Sequence, residues 1–316
     1  MGYHCLQLTV ESKQQMKLFT NKIFMVRPAN FGMNPETAGT NAFQTKLQFE
    51  KADLVNQKAI AEFDEMVTEL ERSGIQVQVF QDSKSPVKPD AIFPNNWIST
   101  HENGTVVLYP MLAENRRLEF RQDIVDQLNP SDLIDFREFQ NQNTFLEGTG
   151  SMILDNEAKL MYLGISPRTD LKLAKNLAQK LDFTICSFHA TDYQNNSIYH
   201  TNVIMFVMHG FVGIGLETIR DKTEREMVRQ TILNSGKQIL ELDYYQITQF
   251  AGNMIQLRNN KNELVLVCST TAWNSLKADP KELIENETKV VTVEIPTIEM
   301  YGGGSARCMI AEKFSD

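Results

Sequence analysis

The stretch Tyr301-Gly-Gly-Gly-Ser-Ala-Arg-Cys-Met-Ile310, near the end of the 316-residue sequence, decides how the chain is organised. Three consecutive glycines permit a tight turn or a positive φ. They bring Cys308 and its neighbour Arg307 to the start of a short apolar strand, which we expect over residues 307–311. A guanidinium beside a thiol favours the thiolate. A structural core cysteine is the alternative interpretation, and the rest of the sequence has to decide between the two.

The composition is that of an ordinary globular protein and gives no indication that the chain binds polyanions. Hydrophobic residues make up 42% and charged residues 22% of the sequence, which is enough for a large core. The net charge is −9 and no basic tract occurs, which argues against nucleic acid and anionic membranes as partners. No apolar run approaches the ~18 residues that a membrane span needs. We expect a small-molecule ligand, and a homo-oligomer remains possible.

Cysteine usage indicates a reducing compartment. The four cysteines are widely spaced, at Cys5, Cys186, Cys268 and Cys308. They form no Cys-x-x-Cys pair, so neither structural zinc nor a disulfide scaffold is expected. The first residues also lack the basic and then apolar layout of a secretory signal. We therefore expect a cytoplasmic protein.

Hydrophobic periodicity predicts helices that alternate with strands and hairpins along most of the chain. The predicted helices cover about 50–73, 114–128, 168–181, 221–234 and 271–286. Each is followed by a short strand. Residues 30–44 contain Asn, Gly and Thr and predict a long loop, a type that is often functional.

The spacing of these units indicates an internal repeat. The junctions between each predicted helix and the strand that follows it fall near Gly74, Asn129, Asp182, Gly236 and Thr288. Their separations are 55, 53, 54 and 52 residues, and near-constant spacing is typical of repeat architectures. Four hairpin–helix–strand units are complete, and a fifth would form if a strand at 23–27 paired with one at 307–311. We predict a single ring-like α/β domain over residues 23–316, preceded by a polar arm at 1–22. An irregular α/β fold with accidental spacing is the alternative.

Polar residues recur at one phase of this repeat, just before the first hairpin strand of each unit. They are Asn96, Glu147, His200, Asn253 and Cys308, at steps of 51, 53, 53 and 55. Residues at one phase of a closed repeat face one axis, so a carboxylate, an imidazole and a thiol are expected to meet there. These three groups suit an orienting acid, an acid/base and a nucleophile. Taken singly, Glu147 could be a solvated turn residue and His200 a satisfied strand histidine.

These motifs together resemble the guanidino-group-modifying, or pentein, superfamily, which includes arginine deiminase, dimethylarginine dimethylaminohydrolase and glycine amidinotransferase. The segment ending at Cys308 is similar to the nucleophile loop of the deiminases. Glu147-Gly matches their acid-plus-glycine step, and His200-x-Asn202 matches their His-x-Asp step. The resemblance covers roughly residues 23–312. It implies a five-bladed α/β propeller of ββαβ units around a pseudo-fivefold axis.

Three further segments resemble substrate-binding parts of the same superfamily. Asp90-Ala-Ile-Phe-Pro-Asn-Asn96 is similar to the Asp-x-x-Phe-x-x-Asp segment of the dimethylarginine enzymes. The segments around Arg117 and Arg168 resemble those that anchor the amino-acid end of the substrate. The resemblance implies that both arginines clamp an α-carboxylate and that Asp90 takes the α-amine.

Closer motifs, including Phe93-Pro-Asn-Asn-Trp97, look like the arginine deiminase-related branch known as citrulline-utilisation hydrolase, or citrulline ureidase. Deiminases hold their cationic guanidinium with two aspartates, whereas this sequence has Asn96 and Asn202 at the matching positions. An amide both donates and accepts hydrogen bonds, which suits a neutral ureido group better than a cation. The family's aspartate after the acid is also replaced, here by Ser151.

The mechanism implied by the resemblance is covalent hydrolysis without a metal or an organic cofactor. Cys308 attacks the ureido or guanidino carbon, His200 serves as acid and then base, and Glu147 orients the histidine. Citrulline would give ornithine, ammonia and carbon dioxide. Arginine deimination, dimethylarginine hydrolysis, amidino transfer and non-catalytic binding of a guanidino or ureido compound are the alternatives.

Overall fold

The structure is a computed structural model, and it describes residues 18–39, 41, 43–44 and 50–314. Most of the predicted arm at 1–22, including Cys5, lies outside the described residues. The predicted loop at 30–44 is described except for residues 40 and 42.

Three-stranded sheets are the repeating element of the described part of the chain, which contains five of them. In each sheet a central strand has one antiparallel and one parallel neighbour. The strands of three sheets are β3 (Ile98–Thr100), β4 (Thr105–Leu108) and β5 (Asp132–Asp135); β6 (Met152–Asp155), β7 (Leu160–Gly164) and β8 (Thr184–Phe188); and β9 (Met205–Met208), β10 (Phe211–Ile214) and β11 (Gln238–Glu241). The fourth consists of β12 (Ile255–Arg258), β13 (Leu264–Ser269) and β14 (Lys289–Val293).

The fifth sheet joins the two ends of the chain. It contains β1 (Lys22–Arg27), β2 (Gln76–Gln81) and β15 (Ala311–Glu312). β15 pairs antiparallel with β1, with Phe24 opposite Ala311, which confirms the predicted pairing of the ends. The predicted strand at 307–311 is wrong in its bounds. Residues 306–309 form a turn, in which the Cys308 N–H donates to the Ser305 carbonyl at 3.0 Å, so the strand begins only at Ala311.

Helices connect the strands of each unit. They are α1 (Ala52–Arg72), α2 (Glu114–Arg117), α3 (Gln122–Leu128), α4 (Gly148–Ser151), α5 (Leu171–Leu181), α6 (Lys222–Asn234), α7 (Tyr244–Thr248), α8 (Thr270–Ser275), α9 (Ala278–Glu287) and α10 (Pro296–Gly302). The predicted helix at 114–128 is therefore interrupted. The break covers residues 118–121 and includes Glu119, whose buried carboxylate pairs with the buried guanidinium of Arg116 in α2.

Helix ends explain the constant spacing of the units. Gly74, Asn129, Asp182 and Gly236 all have positive φ, of 89°, 46°, 58° and 82°. A residue in this left-handed conformation commonly ends a helix and redirects the chain. The residue at the fifth predicted junction between helix and strand, Thr288, is extended instead, with φ −152°.

The core lies between the sheets and their helices. α1 buries Phe63 and Leu70 on one face, and these side chains pack with Ile23 and Met25 of β1. Full burial of one such side chain contributes about 1.5–3 kcal/mol. Among the helices of the described residues, none is both long enough and apolar enough to cross a bilayer.

Candidate active site

Glu147 and His200 come together at the start of their hairpins, as the repeat phase predicted. Glu147 immediately precedes α4, and His200 precedes a single 3₁₀ turn at Thr201–Val203. The His200 Nε2 atom lies 2.7 Å from the Glu147 Oε2 atom, and both side chains are buried. The one-turn helices therefore hold an acid and an imidazole in direct contact.

The Glu147 carboxylate is fully buried and held on both oxygens. The Leu112 N–H donates to Oε1 at 3.0 Å, and Arg168 Nη1 lies 3.3 Å from Oε2. Burial alone would oppose ionisation. The charge of Arg168 and the hydrogen bond from His200 outweigh it and keep the pKa of Glu147 well below its ordinary value. The group is therefore a carboxylate at neutral pH.

The imidazole of His200 is neutral in the resting site. Burial lowers the pKa of His200 to about 4, although the hydrogen bond to Glu147 acts in the opposite direction. An ionised carboxylate only accepts hydrogen bonds, so Nε2 carries the imidazole proton and Nδ1 is unprotonated. The ring packs against Gly150, where a β-carbon would lie 2.9 Å from the ring and 2.3 Å from Asn96 Nδ2. The site thus holds a base that is ready to take a proton.

The thiol of Cys308 lies between two amides. Asn202 Nδ2 is 3.3 Å and Asn253 Nδ2 is 3.2 Å from Cys308 Sγ. Arg307, beside Cys308 in the sequence, points elsewhere: Nη1 donates to the Ile310 carbonyl at 3.0 Å, and Nη2 lies 3.7 Å from Glu312. The donors on the sulfur are therefore neutral amides rather than the neighbouring guanidinium.

The orientation of the Asn96 amide is fixed by a buried arginine. Arg116 Nη1 donates to Asn96 Oδ1 at 2.9 Å. The same guanidinium forms a bidentate pair with Glu119, at 2.8 and 2.9 Å. A guanidinium has only donors, so it must bind the amide oxygen and leave Nδ2 facing Gly150 and His200.

Several polar atoms are buried without a hydrogen-bond partner in the described part of the chain. Among them are Asp90 Oδ1, Asn96 Nδ2 and Asn202 Oδ1. The other oxygen of Asp90 accepts from Asn34 at 2.7 Å and lies 3.7 Å from Arg116 Nε. Burial raises the pKa of Asp90, and Arg116 opposes that rise. Because buried polar groups are normally paired, two acceptors and one donor here are ready for a ligand.

The two arginines predicted to bind the carboxylate differ in their surroundings. Arg168 lies at 4.8 Å over the ring of Tyr199, and both residues line a cavity of about 960 Å³ whose wall includes neither Glu147 nor His200. Arg117 instead donates to the backbone carbonyls of Met111 and Leu112, at 3.0 and 3.2 Å. Of the two, Arg168 is the one that the structure brings to the Glu147–His200 pair.

The glycine turn is fastened by three side chains. Gln44 donates to the Tyr301 carbonyl at 2.9 Å and Asn41 to the Gly302 carbonyl at 3.2 Å. The Tyr199 hydroxyl donates to the Gly303 carbonyl at 2.9 Å. The long loop and the irregular segment before His200 therefore both position the turn that carries Cys308.

Sequence reasoning missed Arg116 and Tyr199 as parts of this site and gave Asn253 no role beyond its phase. Arg116 directly precedes Arg117, and only its ion pair with Glu119 three residues later signals that it turns inward. Tyr199 directly precedes His200, and its ring centroid lies 4.7 Å from that of the histidine. Neither residue lies in the repeat phase that located the other members.

Known structures share this fold. The N-terminal domain of ArgZ, an arginine dihydrolase of cyanobacteria, covalently bound to a reaction intermediate, is 18% identical with a TM-score of 0.70, over 92% of this chain and 96% of that chain. DDAH from Pseudomonas aeruginosa, in complex with citrulline, is 14% identical with a TM-score of 0.61, over 93% of this chain and 98% of that one. Against the longer ArgZ, at 18% identity and a TM-score of 0.68, 92% of this chain matches but spans only 40% of that chain. A search of curated proteins found no match.

The chain has the α/β fold of these structures, and its class is the C–N hydrolases of the pentein superfamily. A comparison with protein families matches residues 27–315 to the family described as N,N dimethylarginine dimethylhydrolase, eukaryotic, and the chain belongs to that family. The predicted superfamily is thereby confirmed, and the protein is a hydrolase related to arginine-modifying enzymes.

Proposed function

We propose that this protein hydrolyses the neutral ureido group of citrulline and releases ornithine, ammonia and carbon dioxide. The observation that carries the proposal is the Asn96 amide, whose oxygen is held by Arg116 and whose Nδ2 therefore remains as a donor. A ureido group has a carbonyl oxygen that can accept from this donor. A guanidinium has no acceptor, and an unpaired buried donor facing it would cost about 1–3 kcal/mol.

The remaining open atoms complement the rest of a ureido group. Asn202 Oδ1 is an acceptor beside the thiol and could take one ureido N–H. Asp90 Oδ1 could take another. Its contact with Arg116, which also holds Asn96, favours the ureido end of the substrate for Asp90 rather than the α-amine expected from the sequence. Arg168, and less directly Arg117, would bind the α-carboxylate.

The reaction would proceed through a covalent thiocarbamate. The Cys308 thiol gives its proton to His200, and the sulfur attacks the ureido carbon. The carbon–nitrogen bond to one amine breaks as His200 passes the proton to that nitrogen. Water, losing a proton to His200, then displaces the sulfur and releases a carbamate, which decomposes to carbon dioxide and the second amine. Glu147 stabilises the transient imidazolium throughout.

A guanidino substrate is the second candidate, because the chain belongs to a family described by dimethylarginine hydrolysis. The same nucleophile and acid/base would then expel dimethylamine or ammonia and release citrulline. The two asparagines weigh against this candidate, since they leave the guanidinium with one aspartate, Asp90. Amidino transfer would replace the attacking water by an amine.

One assay separates these candidates. The purified protein is incubated separately with citrulline, arginine and dimethylarginine, and ornithine, ammonia, dimethylamine and citrulline are quantified. We expect ornithine from citrulline. Citrulline from either guanidino substrate, without ornithine, would overturn the proposal in favour of the second candidate. Saturable binding without turnover would instead identify a binding protein. Turnover that requires an added amine would identify a transferase.

We also propose that the five sheets are the blades of a closed propeller within one catalytic domain at residues 23–316, with 1–22 as an arm. The completion of the fifth sheet by β15 supports this arrangement, as do the contacts of β15 with β3 and of β9 with both β6 and β12. A cytoplasmic location is proposed from cysteine usage alone.

A further inference from the structure

The position of Asn253 gives this side chain a chemical role that the proposed mechanism does not yet use. Its Oδ1 accepts from the N–H groups of Arg307 and Cys308, at 3.0 and 3.4 Å. Its Nδ2 donates to the Asn202 carbonyl at 2.9 Å and lies 3.2 Å from Cys308 Sγ. The side chain is buried, with 1% of its surface exposed.

These contacts determine which end of the amide faces the sulfur. Backbone N–H groups only donate, so they must bind the Asn253 oxygen, and a backbone carbonyl only accepts, so it must bind the nitrogen. The atom presented to Cys308 is therefore an N–H donor. A second donor, Asn202 Nδ2, lies 3.3 Å from the same sulfur.

Two converging donors favour a negatively charged sulfur over a neutral one. A thiol sulfur is a weak acceptor, whereas hydrogen bonds to a charged acceptor are about twice as strong as neutral ones. Arg307, the cation next to Cys308 in the sequence, does not provide this help, because its guanidinium turns to Ile310 and Glu312. A neutral ureido substrate would bring no cation either.

We propose that Asn253 is a catalytic residue that, together with Asn202, stabilises the Cys308 thiolate by direct hydrogen bonding. This inference rests on the proposed function only in taking Cys308 as the nucleophile, and it holds whichever ureido or guanidino compound is hydrolysed. Arg307 then acts on the sulfur indirectly, through the backbone N–H that orients the Asn253 amide.

Alkylation of Cys308 by iodoacetamide, without substrate, tests the proposal. Its rate follows the thiolate fraction, and its midpoint is read from a pH series. Trypsin cleaves after Arg307 and Lys313, so Cys308 is the single cysteine in a peptide of residues 308–313, which mass spectrometry quantifies. The wild type should have a lower midpoint than the same chain unfolded in urea, in which no amide is held against the sulfur. An equal or higher midpoint would overturn the proposal without any variant.

Asn253→Asp is the informative variant. The carboxylate keeps an acceptor for both backbone N–H groups but replaces the donor at sulfur by a negative oxygen. We expect the midpoint to rise by about one to two pH units and alkylation at pH 7 to slow about tenfold to a hundredfold. Asn253→Ala, which adds no charge, should raise the midpoint by about one pH unit.

Asn56→Asp is the matched control. The Asn56 amide also bridges backbone groups, accepting from Phe31 and donating to Ala29, but it lies on α1. The midpoint of Cys308 alkylation in the Asn56→Asp variant should equal that in the wild type. A folded Asn253 variant with the wild-type midpoint contradicts the proposal. Failure of the wild type to form ornithine would instead count against citrulline as the substrate, because alkylation needs no substrate.

Discussion

Asn96 is an ordinary amide whose chemistry is decided by one neighbour. Arg116 holds its oxygen, and Glu119 holds Arg116 through two hydrogen bonds, so the donor end of the amide stays turned toward His200 and Gly150. A side chain that could bind a ligand through either end thus presents only one. This selection depends on the buried ion pair between Arg116 and Glu119, which are three residues apart in the sequence.

Replacement of that amide should change which substrates are favoured. Asn96→Asp leaves only acceptors at the position, so a neutral ureido substrate loses a donor while a cationic guanidino substrate gains an opposite charge. We expect kcat/KM for citrulline to fall by at least about tenfold, and by more than the value for arginine. Asn95→Asp, the same change one residue earlier, is the control. Equal losses for both substrates at Asn96 would remove the charge-based explanation.

The pair of Glu147 and His200 should be essential for activity, whereas a similar carboxylate–histidine pair elsewhere in the molecule should not. Glu147→Gln removes the charge that stabilises the imidazolium of His200, and kcat should fall by about 10²-fold or more. Glu157→Gln is the control, because Glu157 pairs with His209 at 2.7 Å in the same way, outside the site. Steady-state kinetics of both variants decide the matter. A Glu147 variant as active as the Glu157 variant would exclude the proposed role.

Short helices and turns place the reactive groups more than the long helices do. Glu147 immediately precedes α4, and α10 ends at Gly302 just before the turn that holds Cys308. Gly303 caps α10 with φ 62°, and its N–H donates to the Glu299 carbonyl at 2.9 Å. A β-carbon there would lie 2.6 Å from both Asn41 and Gln44. Glycine is required at position 303 both by the positive φ and by the lack of space for a β-carbon.

Two glycine substitutions separate these two requirements. Gly236 also has positive φ, but a β-carbon there meets nothing within 4 Å. Gly236→Ala should therefore lower stability by about 1–2 kcal/mol through backbone conformation alone. Gly303→Ala should lower stability further and reduce kcat, because the turn must move away from Asn41 and Gln44. Chemical denaturation and kinetics measure both effects. Equal losses of stability with full activity in both would show that crowding at Gly303 has no consequence.

At the scale of the whole molecule, the fold buries neutral histidines. His101 lies in the first complete hairpin, and its Nε2 is 2.8 Å from the Ser99 hydroxyl. Burial lowers the pKa of His101 to about 4. The unfolded chain, with an ordinary value near 6.5, binds the proton first as the pH falls. The stabilisation is complete above about pH 6.5 and is lost progressively toward pH 4.

Comparison with a variant isolates this contribution from other titrating groups. Between pH 6.5 and pH 4 the folded state should lose about 3 kcal/mol to His101. His101→Gln should lower stability at neutral pH but show a shallower decline over that range. Denaturation curves at several pH values give both slopes. Parallel declines in the two proteins would mean that His101 binds its proton equally well in the folded state.

The sequence alone determined the repeat and the residues that share its phase. Hydrophobic periodicity and turn residues are local signals, and a constant step of 51 to 55 residues carries them around the chain, so Glu147, His200 and Cys308 could be located without coordinates. The same local signals failed at 307–311 and at 114–128. There, tertiary hydrogen bonds and a buried ion pair override the local preference.

Only the tertiary structure decided which donors face the reactive atoms. Arg307 adjoins Cys308 in the sequence yet turns away from its sulfur, while Asn253, 55 residues earlier, points an N–H at it. The direction of a side chain depends on the partners that its other atoms find, and those partners come from different units of the repeat. Periodicity could therefore bring the residues to one place, but it could not orient their amides.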